Sequence, residues 1–375
     1  MNCTFTFKGT SFNGDIDCED GNLTRSDVGV EPLWGEDGEE IYRHSRPVTF
    51  VLIGAYMLIC AIGVVGNSLV VGVVLKSPRM RTVTNLFILN LAVADLLVIL
   101  FCLPPTLLSN ILVPWVLGWW MCKTVPYVQG VSVCASVYSL VAVSLDRCSA
   151  IWFPLGGGFT RRKARVIIFL IWVVSCTLAL PWALYFDLET PDSTHPQNQF
   201  CLEKWPAGMD GDLYFLIGNM LLCYVLPLIV ISFCYLLIWL RVIYRNVPTD
   251  SVATLQKIHH KAKIGVLKML VVVVLVFLLS WLPLYSIFAR IKLGSALSAW
   301  EDHFFSTAIP IAQWLGSSNS ALNPIIYAAL NVKFRRAFLY LLPKCCNPHP
   351  PCHPNMTKSS LMQRNQTSLY NVTGV

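Results

Sequence analysis

Seven long apolar segments constrain the fold of this chain more than any other feature. Each is close to the roughly 20 residues that a helix needs to cross a bilayer, and polar loops separate them. A soluble all-helical protein is the alternative, but helices so uniformly apolar would need a very large core. We therefore predict an all-α membrane protein that folds as a seven-transmembrane-helix bundle. The predicted spans are 48–75, 83–112, 122–151, 166–186, 213–244, 264–291 and 304–330.

Composition and charge support a membrane protein. The 375 residues are 55% hydrophobic and 13% charged, which is about half the charge of a soluble protein. The net charge of +7 does not require nucleic acid, because basic residues concentrate in alternate connections and can meet anionic inner-leaflet lipid. Basic loops mark the cytoplasmic side, so we expect a multi-pass plasma-membrane protein with its N-terminus outside and its C-terminus inside. The basic stretches are 76–81, 161–165, 241–268 and 333–336.

The loops and ends suggest four parts. An amphipathic stretch after the seventh span is expected to form a short eighth helix on the cytoplasmic membrane surface, and the polar stretch after it is expected to be disordered. The parts are an extracellular tail (1–46), the bundle (47–330), the amphipathic helix (331–342) and a cytoplasmic tail (343–375).

Both tails carry candidate modification sites. Asn2 and Asn22 begin Asn-x-Thr sequons in the extracellular tail, so both are candidate glycosylation sites. Cys345 and Cys346 follow the amphipathic stretch and are candidates for palmitoylation, with unmodified thiols as the alternative.

The chain has 14 cysteines. Cys122 opens the third span, and Cys201 lies in the acidic loop after the fourth. Because both are expected to face the oxidising compartment, we predict a disulfide between them, with free thiols as the alternative. Most others lie inside apolar spans and are interpreted as small buried hydrophobic residues. These are Cys60, Cys102, Cys134, Cys176, Cys223 and Cys234.

A carboxylate stands in the middle of the second span. A lone Asp95 in hydrocarbon is costly, so it must face the bundle and find partners. Asn319 and Asn323 are four residues apart in the seventh span and share a helix face. Such oxygens suit Na⁺ or a proton; a structural polar network is the other interpretation, and the two are compatible. The predicted set is Asp95, Ser136, Asn319, Ser320 and Asn323.

Short motifs in these spans resemble those of the rhodopsin-like (class A) G-protein-coupled receptors, and they occur in that family's order. Cys122 begins the third span, Trp172 marks the fourth and Pro227 the fifth. The other motifs are GN ending at Asn67, LAVAD ending at Asp95, SLDRCSAIW around Arg147, SWLP ending at Pro283 and NPIIY from Asn323 to Tyr327.

The resemblance implies a receptor rather than an enzyme. It implies that ligand binding is transmitted to a heterotrimeric G protein, with arrestin and receptor kinases as further candidate partners. We expect no cofactor, with Na⁺ as a candidate allosteric ion at Asp95. It also implies a set of residues that carry activation. These are Asp146, Arg147, Tyr235, Trp281, Pro283, Asn323, Pro324 and Tyr327.

The kind of ligand follows from comparison within that family. Amine receptors carry an Asp at the place of Gln129, and opsins carry the retinal-binding Lys at the place of Ser317. Gln129 instead resembles peptide receptors, in which Gln can bond a terminal amide through its donor and acceptor. The candidate ligand-binding residues are Thr106, Gln129, Glu203, Asn219, Tyr285, Phe288 and Gln313.

A closer resemblance is to the invertebrate SIFamide receptors, related to the neuropeptide FF/RFamide receptor group. Segments such as FCLPPTLLSNILVPWVLGWWMCK and PIAQWLGSSNSALNPIIYA carry it. RFamide-type receptors often hold the peptide's arginine with an acid near the outer end of the sixth helix, where this chain has Arg290 and Lys292. The resemblance therefore implies an amidated peptide with an uncharged penultimate residue. Alternatives are another peptide (RFamide- or orexin-like) and, from a different class, a polytopic membrane transporter.

Overall fold

The computed structural model describes residues 41–153, 156, 158–190, 199–243 and 253–341, without the side chains of 242–266. The predicted modification sites Asn2, Asn22, Cys345 and Cys346 lie outside the described residues. The chain divides into two units after Phe338, and the described residues before that point belong to one compact unit.

Helices account for most of the described chain. Two of the helices each contain a π-helical stretch, Val98–Cys102 in one and Phe215–Val225 in the other. The helices are α1 (Arg46–Lys76), α2 (Val83–Ile111), α3 (Gly118–Trp152), α4 (Arg161–Tyr185), α5 (Gly211–Tyr214, Phe215–Val225 and Leu226–Ile243), α6 (Ala253–Leu293), α7 (Ala299–Leu330) and α8 (Val332–Leu341).

The prediction of an all-α membrane bundle is confirmed. Within the described residues, six helices, α1 to α6, are long and apolar enough to cross a membrane. α7 is the more polar seventh helix: it has 32 residues, and it begins with a capping box between Ser298 and Glu301. A polar run, Ser317 to Ser320, is buried at its centre, so α7 turns its polar side toward the other helices.

α3 is the most enclosed of these helices. In its most apolar window 72% of the residues are buried, against 17% for α4. The exposed face of α4 is apolar, including Val166, Phe169 and Val173, as expected for a helix that faces lipid. α3 therefore runs through the interior of the bundle, where it packs against α2, α4 and α5.

Buried hydrogen bonds fix α2, α3 and α4 to one another. The Trp172 indole N–H donates to Asn90 Oδ1 at 2.8 Å, and the Asn90 amide donates to Ser139 Oγ at 2.8 Å. Ser139 in turn donates to the Ala135 carbonyl at 2.6 Å. Each polar group thus has a partner, as burial in an apolar bundle requires.

A two-stranded hairpin closes one end of the bundle. β1 (Phe186–Glu189) pairs antiparallel with β2 (Phe200–Glu203), with Phe186 opposite Glu203. The predicted disulfide is present: Cys201 of β2 is joined to Cys122 of α3, with their Cα atoms 5.5 Å apart. The side chain of Lys123 donates to the Phe186 carbonyl at 2.7 Å. We call this the disulfide end, and the opposite end, which holds Arg147, the arginine end.

One interpretation of the cysteines is wrong. Cys134 and Cys223 were expected to be separate buried thiols, but they are joined to each other, with Cα atoms 5.6 Å apart. They are 89 residues apart in the chain, so only the packing of α3 against α5 brings them together. Four others are free: Cys102 and Cys234 are buried, as expected, whereas Cys60 and Cys176 are only partly buried.

The predicted amphipathic segment forms α8. Phe334 is fully buried, and its ring packs on Tyr327 with centroids 5.6 Å apart. Asn331 begins this helix by accepting from the Lys333 backbone N–H at 3.0 Å. Its position on a membrane surface stays a prediction.

Candidate functional site

A cavity of about 260 Å³ lies under the hairpin at the disulfide end. Residues from α2 to α7 line it, together with Phe186 and Glu203 of the hairpin. The structure brings all seven candidate ligand-binding residues to its wall: Thr106, Gln129, Glu203, Asn219, Tyr285, Phe288 and Gln313.

The polar residues of the cavity differ in how many of their hydrogen-bonding groups already have a partner within the protein. Thr106 donates its hydroxyl to the Cys102 carbonyl at 2.8 Å, so only its oxygen lone pairs remain for another molecule. Asn219 Oδ1 accepts from the Tyr285 hydroxyl at 2.9 Å. No hydrogen bond joins the Gln129 side chain to any other residue in the described part of the chain. Gln129 therefore presents an uncommitted donor and acceptor to the cavity.

Gln313 belongs to a network that the sequence did not reveal. Its Oε1 accepts from the Asn110 amide at 2.9 Å, and that amide also donates to Tyr56 Oη at 3.0 Å. Tyr56 donates to the Pro310 carbonyl at 3.4 Å. The network holds α1, α2 and α7 together, and it leaves only part of Gln313 available to a ligand.

Aromatic rings form the wall of the cavity toward α5 and α6. Tyr285 stacks on Tyr224, with centroids 4.4 Å apart, and lies 6.2 Å from Trp281. A Cβ added at Gly316 would lie 3.2 Å from the Trp281 ring. The Trp281 indole is thus confined between α7 and its aromatic neighbours.

An ion-pair cluster lies at the mouth of the cavity. The Lys292 ammonium is 2.9 Å from Glu203 Oε2 and 3.4 Å from Asp212 Oδ1, and only 14% of the Lys292 side chain is exposed. The carboxylate of Glu203, one of the candidate ligand-binding residues, is therefore already paired within the protein. Lys292 and Asp212 were absent from the predicted site, since their meeting depends on the fold of the loop.

Arg290 lies outside this cluster. Its guanidinium forms a bidentate salt bridge with the carboxylate of Glu301 at the start of α7, with N···O distances of 2.9 and 3.0 Å. Such paired geometry is the strong form of this interaction. It joins α6 to α7 beside the cavity. Of Arg290 and Lys292, only Lys292 lines the cavity.

The carboxylate of α2 has partners in α7, as predicted. The Asn323 amide donates to Asp95 Oδ2 at 2.8 Å, and the Ser320 side chain also bonds this carboxylate. Asn319 does not join them, because its amide donates to Ser280 Oγ of α6 at 3.1 Å. Ser136 of α3 is buried, and within the described residues it makes no hydrogen bond to Asp95. Asn67 completes the set by donating to the Ser320 carbonyl at 2.8 Å.

Comparison with known proteins now identifies the fold. The model of the "7 transmembrane receptor (rhodopsin family)" matches residues 66–327. The chain belongs to the rhodopsin family of seven-transmembrane receptors. It is therefore a multi-pass protein of the plasma membrane.

Individual relatives cover most of the chain. Neuropeptide FF receptor 1 of Rattus norvegicus is 38% identical over 312 residues, which are 79% of this chain and 71% of that protein. Neuropeptide Y receptor type 2 of Mus musculus is 38% identical over 297 residues, 78% of this chain and 76% of that protein. Neuropeptide FF receptor 2 of Rattus norvegicus is 36% identical over 308 residues, 79% and 73% of the two chains.

In this rhodopsin-family bundle two of the predicted activation residues, Asp146 and Arg147, lie together at the arginine end. Arg147 contacts the carboxylate of its neighbour Asp146. Asp146 is buried, and its other oxygen accepts from the Phe159 backbone N–H at 2.9 Å. Asp146 therefore holds both Arg147 and the loop that follows α3. The sequence indicated both charged residues as part of the activation set but did not indicate the contact with Phe159.

The other predicted activation residues lie inside the bundle. Tyr327 is buried, and Tyr235 shares a hydrogen bond with Ser144 of α3. Trp281 and Pro283 stand in the middle of α6 beneath the cavity. Asn323 and Pro324 belong to α7, where Pro324 lies so near α1 that a Cβ at Gly66 would come within 2.7 Å of it.

Proposed function

We propose that this rhodopsin-family chain is a receptor for an amidated neuropeptide and transmits peptide binding to a heterotrimeric G protein. The observation that carries the proposal is the uncommitted Gln129 side chain in the wall of the cavity. A carboxamide needs a donor and an acceptor together, and Gln supplies both from one side chain. The relatives named as neuropeptide FF and neuropeptide Y receptors support a peptide ligand.

The size of the cavity fits the end of a peptide. About 260 Å³ is below the roughly 300–1,000 Å³ of sites that enclose a whole small ligand. The terminal amide and its aromatic residue would enter between Gln129, Trp281 and Tyr285, while the rest of the peptide remains at the hairpin.

Lys292 favours an uncharged penultimate residue, as in a SIFamide-like peptide. The Lys292 ammonium already pairs with Glu203 and Asp212. A ligand arginine would have to displace it from both carboxylates, whereas an isoleucine would not. This favours a terminus such as Ile-Phe-amide over Arg-Phe-amide.

Orientation and the signalling partner follow from the same proposal. The disulfide end, with its oxidised cysteines and acidic hairpin, faces outside, and the basic arginine end faces the cytoplasm. There Arg147, Tyr235 and Tyr327 would line the cleft that receives the G protein. Arrestin and receptor kinases are proposed partners of the tail beyond α8.

Na⁺ is a proposed allosteric ion at Asp95. Asn323 and Asn67 each carry a buried side-chain oxygen that has no protein partner among the described residues. Carboxylate and amide oxygens are hard ligands that suit such a cation, so the residues present fit the ion.

Calcium mobilisation in cells that express the chain with a promiscuous G protein tests the proposal. The challenge is a pair of peptides that differ only at the penultimate residue, ending in Ile-Phe-amide and Arg-Phe-amide, with the Ile-Phe free acid as control. A response to Ile-Phe-amide, weaker for Arg-Phe-amide and lost with the acid, is expected. Equal potency of the amide and the acid at a verified surface receptor would contradict the role given to Gln129.

A further inference from the structure

Cys134 and Cys223 form a covalent link between α3 and α5 in the wall of the ligand cavity. Both residues line the cavity, although only 4% and 3% of their surfaces are exposed. Their Cα atoms are 5.6 Å apart, which is an ordinary separation for a disulfide. This link is independent of the Cys122–Cys201 bond, which ties the hairpin to the end of α3.

The two residues that flank Cys223 form hydrogen bonds with two different helices. The Leu222 carbonyl accepts from the Tyr138 hydroxyl of α3 at 3.0 Å. The Tyr224 hydroxyl donates to the Leu278 carbonyl of α6 at 2.8 Å, and its ring stacks on Tyr285. Three successive residues of α5 therefore fasten it to α3 and to α6.

This part of α5 is the π-helical stretch Phe215–Val225. A π-helical stretch is a local departure from the usual helical hydrogen-bond pattern, and such stretches occur often at functional sites. The Cys134–Cys223 bond fixes this stretch on the enclosed helix α3. Breaking the bond would free it to move while Tyr224 still holds α6.

We propose that Cys134–Cys223 is a reversible thiol–disulfide site that opens on the ligand cavity and that small thiols can modify. Its effect on signalling rests on the proposed function, in which the cavity binds the agonist and opens to the oxidising outside. Reduction of this one disulfide then changes the position of α5 between α3 and α6. The changed position of α5 alters the response to agonist.

The reaction with a dithiol balances. A thiolate of the dithiol attacks one cysteine sulfur and forms a mixed disulfide, and the other cysteine leaves as a thiolate and takes up a proton. The second thiol of the reagent then attacks the reagent's own sulfur in the mixed disulfide and releases the cysteine that was attacked first, which also takes up a proton. The protein disulfide gains two electrons and becomes two thiols, while the dithiol becomes a cyclic disulfide.

The covalent state can be measured without any agonist. The full-length receptor is denatured in excess N-ethylmaleimide without reductant, and the cysteine-containing peptides are identified by mass spectrometry. Cys60 and Cys148 are free thiols and serve as internal controls. We expect both controls to be labelled while Cys134 and Cys223 appear as one linked peptide, and we expect dithiothreitol to make both label. Labelling of Cys134 and Cys223 to the level of the controls without reductant would overturn the proposal.

Agonist potency tests what the link does. The variants are Cys134→Ala, Cys223→Ala and the double variant. Because either change breaks the same bond, we expect each single variant and the double variant to shift the half-maximal agonist concentration equally, by roughly threefold or more. Shifts that add, or no shift at all, would overturn a functional link. Labelling needs no ligand, so it separates failure of this inference from failure of the peptide-receptor proposal.

Discussion

At the scale of single residues, Gln129 differs from three other polar residues of the cavity because its side chain has no hydrogen-bond partner within the described residues. Asn219, Gln313 and Glu203 are each engaged by another side chain. Gln129 lines the same cavity and has no such partner within the described residues. A ligand amide can therefore use both of its polar atoms without breaking a contact in the protein.

Gln129→Leu should weaken the response to an amidated peptide. A buried amide left without its partner costs roughly 1–3 kcal/mol, so agonist potency should fall by roughly 5- to 150-fold. Dose–response curves of calcium mobilisation, at matched surface expression, measure this. Ser286→Ala on the exposed face of α6 is the control and should leave potency unchanged. Unchanged potency of Gln129→Leu would place the peptide amide elsewhere.

Asp95→Asn tests the proposed Na⁺ site. In the wild-type receptor, agonist affinity should differ between sodium chloride and choline chloride at equal concentration, because a cation at a buried carboxylate favours one arrangement of α2 and α7. The variant removes the charge that holds the ion, so the difference should vanish. Displacement of a labelled peptide measures it. A wild-type receptor that is indifferent to sodium would leave Asp95 as a structural group.

Sequence reasoning located polar residues better than it located their partners. Helical spacing and motif order placed Asp95 opposite Asn323, and these two do bond. The pairing of Glu203 with Lys292 and of Asn110 with Gln313 joins residues 89 and 203 positions apart. No periodicity encodes such contacts, because they depend on how the loops and helix ends pack.

At the scale of elements, α3 and α4 approach closely beside the cavity. A Cβ at Gly130 would overlap the ring of Trp182, which lines the cavity from α4. Gly130 is thus required by packing, and it sits next to Gln129. The spacing of these two helices sets the position of the side chain that we propose binds the ligand.

Gly130→Ala should therefore destabilise the receptor. Overfilling a packed interface costs roughly 1–3 kcal/mol, and displaced Trp182 should also lower peptide affinity. Thermal unfolding of the purified receptor checks the first effect. Gly54→Ala is the matched control, because a Cβ there would meet nothing within 4 Å. Equal melting temperatures for the two variants would contradict the close approach of α3 and α4.

The arginine end of α3 offers a second element-scale prediction. Asp146 holds Arg147 and the Phe159 backbone, so Asp146→Asn should free Arg147 and raise ligand-free signalling. Inositol phosphate accumulation without agonist, compared with the wild type and with mock cells, measures it. Asp302→Asn at the exposed start of α7 is the control. No rise in Asp146→Asn at equal expression would mean that this contact does not restrain the receptor.

Hydropathy predicted the positions of the helices in the chain. It did not predict where their hydrogen-bond pattern departs from that of an α-helix. The predicted span 83–112 corresponds to Val83–Ile111, and 122–151 falls within Gly118–Trp152. The π-helical stretch Phe215–Val225 was not predicted, because its residues are as apolar as those of an α-helix. The Cys134–Cys223 link was missed for a related reason: burial of each cysteine was predictable, but their contact was not.

At the scale of the whole molecule, α3 connects the cavity with the arginine end. Gln129 and Arg147 are 18 residues apart on this one helix, a distance of roughly 27 Å. α3 is also joined to α2 by a hydrogen bond and to α5 by a hydrogen bond and a disulfide. A ligand that binds one arrangement of these helices more tightly than another shifts the population of both ends.

The most direct test of a peptide receptor coupled to a G protein is the affinity of a labelled Ile-Phe-amide peptide for cell membranes, with and without a non-hydrolysable GTP analogue. Coupling between two ligands is reciprocal, so dissociating the G protein must weaken peptide binding. We predict high affinity without the nucleotide and lower affinity with it. Saturable peptide binding that the nucleotide leaves unchanged, in membranes that contain the G protein, would contradict the account. Solute uptake that survives removal of the G protein would instead favour a transporter.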